Sequence, residues 1–329
     1  MAAVRISLRP GEINIARRTA RTVRMPKQGW SALAAWRDAR MGERGDLWHR
    51  AILDPTLLAV VGPVRGRRIL DLGCGNGYLT RRWARAGALE SVGVDAAAAS
   101  LRLARRREAK HPSGARFVRA NAARLSPFRD GQFDLVVAHM SLMDIEDAPG
   151  AVRAVGRVLR PGGRFVFSIN HPCFDVDLRS TWVVEQQFNE ETVFRKVAGY
   201  RTEQTVRIPW RISEKETGYT IAYHRPLPTY FRYLREAGFA VVRVEEPSPG
   251  PEAVAKSPQG RFMLEIPLHL VVEAVQRPVG PARTRGAGAV KRRGSRTTAR
   301  TPAGAARRSG SRGRTRGNGS AHRGSTPGS

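Results

Sequence analysis

Ile69-Leu-Asp-Leu-Gly-Cys-Gly-Asn-Gly-Tyr78 is the stretch of sequence that decides the fold. Its apolar start continues from Arg68, three glycines at alternate positions follow, and a helical pattern begins at Tyr78. We interpret it as a buried strand over residues 68–72, a glycine turn and a helix over residues 78–86. Doubly wound α/β folds bind ligands at such a turn, beyond the end of the strand.

The alternation of strand and helix continues along the chain. After a helical pattern over residues 30–61, further strands are predicted at 91–94, 115–119, 133–138, 164–169, 239–244 and 268–275, with helices at 97–110, 148–159 and 229–237. This order predicts an α/β, doubly wound parallel sheet with helices on both faces. Residues 174–225 are rich in aromatic and β-branched side chains without a helical period, and they predict an antiparallel insertion or lid after strand five.

The positive charge of the chain lies mostly at its ends. The net charge is +29, of which residues 1–29 carry +6, residues 277–329 carry +14 without any acid, and residues 30–276 carry +9. We therefore predict a globular domain over 30–276 between two basic, disordered segments. The basic tail could contact nucleic acid or another polyanion without sequence preference, and the head also resembles an organelle transit peptide.

Several locations and site types are disfavoured by composition. The two cysteines, Cys74 and Cys173, form no metal-binding or disulfide pattern. The sequence has no apolar run near the length of a membrane span, and the N-terminus has no apolar secretory core. The expectation is a cytoplasmic protein that contacts no membrane and has no metal site.

Two kinds of cofactor use a glycine turn of this type. A dinucleotide site needs a third glycine three positions after the second, where this chain has Tyr78. Asp71 would oppose a pyrophosphate but attract the ammonium of a methionine moiety. Asp95, at the end of the second strand, either accepts hydrogen bonds from ribose hydroxyls or caps the helix that begins near Ala97. The sign of the charge at Asp71 favours an aminoacyl-type nucleoside.

Four segments together resemble the successive motifs of class I S-adenosylmethionine-dependent methyltransferases. They are Ile69-Leu-Asp-Leu-Gly-Cys-Gly-Asn-Gly-Tyr78, Val92-Gly-Val-Asp95, Phe133-Asp-Leu-Val-Val137 and Leu159-Arg-Pro-Gly-Gly163. The resemblance implies a Rossmann-like, seven-stranded sheet whose last strand is antiparallel, and S-adenosyl-L-methionine as cofactor. It also implies cofactor contacts at Asp71, Gly73, Cys74, Gly75, Gly77, Asp95, Ala96, Asn121, Ala122, His139 and Trp48. Asn121 stands where the family has an acid against the adenine, and its amide oxygen could accept the same hydrogen bond.

Methyl transfer from a sulfonium requires mainly that the nucleophile, the methyl carbon and the sulfur be aligned. A general base is needed only for a hydroxyl or a protonated amine, and the candidates are His139, His171 and His224. Each of these histidines could instead be a buried hydrogen-bonding residue. Asp144, Glu146 and Asp147 could bind a metal, but they more simply complement the dipole of the helix that begins at residue 148.

Three hypotheses remain for what the chain does with the methyl group. The first is a small molecule enclosed by the aromatic side chains of the insertion, although some of these must form the insertion's own core. The second is a nucleic acid held by the basic tails. The third is an inactive protein that only binds the cofactor. Trp48 likewise either closes over the cofactor or packs between helices.

Overall fold

The computed structural model describes residues 28–188 and 190–277. Nearly all of the two predicted basic segments lies outside these residues, so the predicted boundaries at 29/30 and 276/277 stay predictions. None of the described helices is long and apolar enough to cross a membrane.

A seven-stranded sheet forms the centre of the fold, and its strands lie in the order β10 (Phe239–Glu245), β11 (His269–Gln276), β5 (Leu159–Asn170), β4 (Phe133–His139), β1 (Arg68–Leu72), β2 (Glu90–Asp95) and β3 (Arg116–Arg119). Five neighbouring strands run parallel, and β11 pairs antiparallel with both β5 and β10. This confirms the predicted Rossmann-like sheet with its last strand antiparallel.

Helices cover both faces of the sheet. They are α1 (Trp30–Met41), α2 (Asp54–Val61), α3 (Tyr78–Arg85), α4 (Ala98–Lys110), α5 (Ala148–Val158), α6 (Leu227–Glu236), α7 (Pro251–Lys256) and α8 (Pro258–Phe262). A π-helical turn, His49–Leu53, leads directly into α2. The short helices α7 and α8 were not predicted, because each has only one or two turns and starts at a proline.

The core consists of two apolar layers separated by the sheet. Residues of β4 and β5 such as Phe133, Phe165 and Phe167 pack with α5 and α6 on one face. Leu135, Val137 and other side chains of the opposite face pack with α2 and α3. Strands that are buried on both faces read as continuous apolar runs, which is why they were identifiable from sequence.

The insertion after β5 consists of two separate antiparallel ribbons. The first pairs β6 (Ser180–Gln187) with β7 (Glu190–Val197), and the second pairs β8 (Gln204–Arg211) with β9 (Thr217–His224). The prediction of an antiparallel insertion is therefore confirmed. Its second ribbon packs against α1, because Trp210 lies between Trp30 and Trp36 with ring centroids 5.7 and 5.6 Å away.

Candidate active site

A cavity of about 220 Å³ lies at the carboxyl ends of β1, β2 and β4. These ends meet at one edge of the sheet because the three strands are parallel. The glycine turn after β1 and the turn after β4 border the cavity, and α1 contributes another part of its wall. Residues of α1 that line it are Trp30, Ala34, Arg37, Asp38 and Met41.

The glycine turn needs its glycines for two physical reasons. Gly73 and Gly77 both have φ of +75°, in the left-handed region that disfavours other residues. A Cβ on Gly73 would overlap the side chain of Ser141, and one on Gly77 would overlap the ring of Phe117. The backbone of the turn therefore approaches the turn after β4 more closely than any side chain would allow.

Asp71 places a buried carboxylate at the floor of the cavity. Its residue is 3% exposed, and Thr80 Oγ1 donates a hydrogen bond of 2.6 Å to Oδ2. Burial, helped by the nearby charge of Asp95, raises the pKa of Asp71 to about 7. Among the described residues no cation lies within ion-pair distance of this carboxylate. A cationic ligand would compensate it.

Asp95 already holds the glycine turn and the start of α4 together. Its Oδ2 accepts a hydrogen bond of 2.9 Å from the Gly75 amide, and its Oδ1 accepts one of 2.7 Å from the Ala97 amide. Ala97 is the residue that caps α4, so Asp95 is not the N-cap. The carboxylate lines the cavity beside Ala96 and keeps free lone pairs on both oxygens, which leaves the predicted ribose contact possible.

The predicted adenine side of the site is only partly formed by the expected residues. Ala120 and Ala122 line the cavity, whereas Asn121 between them does not. The Asn121 side chain is exposed, and its Oδ1 accepts a hydrogen bond of 2.8 Å from the Ala123 amide. Because its oxygen is used within its own turn, the adenine contact of Asn121 stays a prediction without support from its position.

Trp48 takes the packing position that the sequence left open as its alternative, and its neighbour His49 lines the cavity. Trp48 packs against an apolar cluster that contains Ile52 and Met263, away from the cavity, whereas His49 lines it. His49 begins the π-helical turn, and its Nδ1 lies 2.8 Å from Oδ1 of Asp46. Burial lowers the pKa of His49. Asp46 and His49 are three residues apart, the spacing at which side chains of one helical turn can meet, and this signal for a paired histidine was missed in the sequence.

His139 is the one of the three candidate histidines that lines the cavity. It is 8% exposed, and its Nδ1 lies 2.7 Å from Ser168 Oγ. Its Nε2 lies 3.2 Å from Oδ1 of Asp54. The angles at that contact are not those of a hydrogen bond, so Nε2 is buried without a partner. One ring nitrogen is thus anchored at Ser168, and the other is buried beside the carboxylate of Asp54.

The other two histidines lie elsewhere. His171 is buried beside Glu246, with 2.9 Å between its Nε2 and Oε1 of the glutamate. His224 donates from Nε2 to the Tyr200 carbonyl over 2.8 Å and borders a separate, smaller cavity. The structure therefore does not bring the three histidines together, because each is held by a partner from a distant part of the chain.

The aromatic side chains of the insertion mostly do not form an acceptor pocket. Trp182 packs against Phe262 with ring centroids 5.4 Å apart, and Trp210 packs against α1. Phe188 is 94% exposed. Among the aromatic residues of the insertion that the structure describes, Tyr223 alone borders either this cavity or the smaller one beside His224.

An ionic network ties α1 to the glycine turn and to α4. Both oxygens of Asp38 accept hydrogen bonds from Arg107, over 2.7 and 3.0 Å. Asn76, in the glycine turn, donates to Oδ1 of Asp38 and to the Gly42 carbonyl, over 2.9 Å in each case. Asp38 therefore connects three walls of the cavity.

We expect Asp38→Ala to lower the free energy of unfolding by about 1–3 kcal/mol, because it leaves donors of Asn76 and Arg107 without their acceptor. Urea unfolding measures this difference. The matched control is Asp130→Ala, which removes an exposed ion pair with Arg157 and should cost less than about 1 kcal/mol. Equal losses in the two variants would contradict a linking role for Asp38.

The part of the chain that resembles known proteins includes much of the lining of this cavity. Residues 70–167 match a family model described as a methyltransferase domain. The chain is 35% identical over 108 residues to a ubiquinone biosynthesis O-methyltransferase of Alkalilimnicola ehrlichii, covering 33% of this chain and 43% of that protein. It is 32% identical over 134 residues to a ubiquinone/menaquinone biosynthesis C-methyltransferase of Vibrio vulnificus, covering 39% and 49%. The chain thus spans less than half the length of these curated relatives.

A solved structure matches over a larger share. An S-adenosylmethionine dependent methyltransferase from Mesorhizobium loti is 30% identical, with a TM-score of 0.55, and the match covers 67% of this chain and 96% of that one. The similarity therefore extends over nearly the whole of that protein and over most of the described residues here.

Proposed function

The chain belongs to the class I S-adenosylmethionine-dependent methyltransferase superfamily, and from that premise we propose that it transfers a methyl group to a small-molecule acceptor. S-adenosylmethionine, when bound, supplies an electrophilic methyl group on a sulfonium. The proposal is supported by a match to a domain shared by O- and C-methyltransferases of small molecules.

The acidic lining of the cavity is the observation that carries the proposal. Four aspartates, Asp38, Asp71, Asp95 and Asp144, line it with a single arginine, although the chain as a whole carries +29. S-adenosylmethionine has two positive groups and one negative group, so this lining complements it. A pyrophosphate would be repelled by the same lining. The residues present thus fit the cofactor that the fold implies.

Each residue has a defined task in this proposal. Asp71 binds the ammonium, the backbone of the turn at Gly73 and Gly75 approaches the cofactor closely, and Asp95 accepts hydrogen bonds from the ribose. His139 accepts a proton at Nε2 from a hydroxyl or ammonium of the acceptor, while Ser168 Oγ holds its Nδ1 in place. Its position as the last residue of β4, in the lining of the cavity, supports a place between the cofactor and the acceptor.

A labelling screen tests the proposal. The full chain is incubated with S-adenosylmethionine that carries a labelled methyl group, together with either a metabolite extract or total RNA from the source organism. We expect label in the metabolite fraction. Label in RNA alone would favour the nucleic-acid hypothesis, which rests on basic segments that lie almost wholly outside the described residues. Cofactor binding without any transfer would favour the inactive alternative.

Asp71→Asn is expected to weaken S-adenosylmethionine binding about 10–100-fold, because a hydrogen bond to a charged group contributes about 1.5–3 kcal/mol. The pKa of Asp71 is raised to about 7, and only its ionised form attracts an ammonium. Affinity of the natural protein should therefore fall as the pH drops from 7 to 5.5, by up to about tenfold per unit.

Calorimetry of the two proteins between pH 5.5 and 7 measures this effect, in a range where the ammonium of the ligand stays charged. The variant should lose most of the pH dependence, whereas Asp130→Asn, an exposed carboxylate, should keep it. Unchanged affinity and an unchanged pH profile in Asp71→Asn would refute our account of the site.

A further inference from the structure

Helix α1 turns one face toward the cavity of the candidate active site. The five residues that it contributes to the lining follow one another at intervals of three, four or one, which puts their side chains on one side of a helix. Two of the five, Arg37 and Asp38, are charged. Asp38 already accepts hydrogen bonds from Arg107 and Asn76. Arg37 is therefore the charged group that this face of α1 offers to a ligand.

Arg37 keeps hydrogen-bond donors that the protein does not use. Its Nη1 donates to Oδ2 of Asp46 over 3.0 Å, and 27% of its side chain is exposed. Within residues 28–188 and 190–277, no hydrogen bond starts from its Nε or Nη2. The ion pair with Asp46 thus anchors the guanidinium and leaves further donors of its planar fork accessible. Such a fork matches the geometry of a carboxylate.

Arg37 lies at the same end of the cavity as Asp71. Asp46 joins it to His49, because His49 Nδ1 lies 2.8 Å from Oδ1 of Asp46. The ring of His49 stands edge-on to that of His139, with ring centroids 5.2 Å apart. His139 ends β4, which pairs directly with β1, the strand of Asp71. Paired strands lie about 4.8 Å apart, so these contacts connect Arg37 to the β1 and β4 end of the site.

The opposite end of the cavity is formed by β2 and β3, which follow β1 in the sheet. Asp95 ends β2, and Ala120 and Ala122 follow β3. The proposed function assigns the ribose to Asp95 and the ammonium to Asp71. In S-adenosylmethionine the ammonium and the carboxylate are bonded to the same carbon, whereas the ribose and the adenine lie beyond the sulfur. The carboxylate of the cofactor therefore belongs to the end where Arg37 lies.

The charges of the lining require a cation at this end. Arg37 is the only arginine or lysine among the described lining residues, which include four aspartates. Asp144 is close enough for the charge of Arg37 to act on it, but no ion pair joins the two within the described chain. Burial raises the pKa of Asp144 to about 7, so it carries only part of its charge at neutral pH. A carboxylate beside Arg37 consequently meets one full positive charge and little repulsion.

We propose that Arg37 binds the carboxylate of S-adenosylmethionine, next to the ammonium site at Asp71. The inference rests on the proposed function and makes it more specific. Helix α1 lies outside residues 70–167, which match the methyltransferase family model, so this contact comes from a part of the chain that the model does not cover. Through Arg37 the protein selects a nucleoside that carries an amino acid over one that carries an amine alone.

Calorimetric titration of the full chain tests the contact without requiring turnover. S-adenosylmethionine and decarboxylated S-adenosylmethionine differ only in the carboxylate, and both carry an ammonium at pH 7. We expect the natural protein to bind the first about 10–100-fold more tightly, the range expected for a hydrogen bond between charged groups. Arg37→Met and Arg37→Gln should remove this preference by weakening S-adenosylmethionine alone, while the affinity for the decarboxylated ligand should stay within about threefold.

Two further variants serve as controls. Arg40→Met removes the same charge from α1, but Arg40 is exposed, lies over the ring of Trp36 and does not line the cavity. Its replacement should keep the preference for the carboxylate. Asp71→Asn should weaken both ligands by a similar factor, because both carry the ammonium. The effect of Arg37 is thereby separated from the general charge of the chain and from the ammonium site.

Two outcomes would overturn the contact: equal affinity of the two ligands for the natural protein, or a preference that survives both Arg37 variants. Arg37 would then serve only its ion pair with Asp46. Failure of the proposed function has a different signature. If neither ligand binds, both proposals are wrong. If the labelling screen finds no transfer although the Arg37 variants lose the preference, only the proposed function is wrong.

Discussion

Replacing His139 by glutamine is expected to lower kcat by about 10²–10⁴-fold, the usual contribution of a positioned general base. The glutamine amide is of similar size and can still hydrogen-bond to Ser168 Oγ, but it cannot take a proton. Binding of S-adenosylmethionine should change little, because Nε2 of His139 takes a proton from the acceptor, and not from the cofactor, in the proposed mechanism. The loss should therefore appear in kcat, measured with the acceptor that the labelling screen identifies.

His171→Gln is the matched control for this variant. His171 is also a buried histidine, but it is held by Glu246 outside the cavity lining. Its replacement should leave kcat within about threefold of the natural value, provided that circular dichroism shows a folded protein. Natural kcat in His139→Gln would mean that the acceptor needs no base, as for a carbon or thiolate nucleophile.

Gly73→Ala is expected to lower the free energy of unfolding by about 2–5 kcal/mol. A residue with a side chain costs about 1–2 kcal/mol in the left-handed conformation of this glycine, and forcing an atom into packed space costs about 1–3 kcal/mol more. The packed space is that of Ser141, whose side chain a Cβ on Gly73 would overlap. Cofactor binding should be lost as well, because relief of the overlap must separate the two turns.

Gly75→Ala separates the cost of backbone strain from the cost of overlap with Ser141. Gly75 has φ of +55°, but a Cβ there would meet no atom within 4 Å. Its replacement should cost only the backbone strain, about 1–2 kcal/mol, while the added methyl group intrudes on the cavity that Gly75 lines. Urea unfolding of both variants measures the difference. Equal losses of stability would show that the side chain of Ser141 can move aside at no cost. The close approach of the two turns would then contribute nothing to stability.

The features that could be predicted from sequence depend on local patterns. Strand β1 was predicted with its observed bounds, Arg68–Leu72. Both signals used for it, the apolar run of a buried strand and the glycine turn that ends it, consist of consecutive residues. The positions of Asp71 and Asp95 at the ends of parallel strands follow from the same pattern. The sheet as a whole then follows from the alternation of strands and helices.

The features that were missed depend on contacts between residues far apart in the sequence, or on the direction in which a helical turn points its side chains. Trp48 and His49 are adjacent, and the π-helical turn that starts at His49 decides which of them faces the cavity. His171 is held by Glu246, 75 residues away, and Arg225 by Ile145, 80 residues away. No periodicity in the sequence encodes such pairings. The smaller cavity, which Arg225 lines, could therefore be found only in three dimensions.

The acidic cavity in a basic chain has a consequence for the kinetics of cofactor exchange. A net charge of +29 repels a cationic cofactor at long range, whereas the aspartates of the cavity attract it only after contact. Exposed charges are screened beyond about 8 Å at physiological ionic strength, and buried ones much less. Added salt therefore speeds the arrival of the cofactor by weakening the outer repulsion, and it has less effect on the cofactor's residence time.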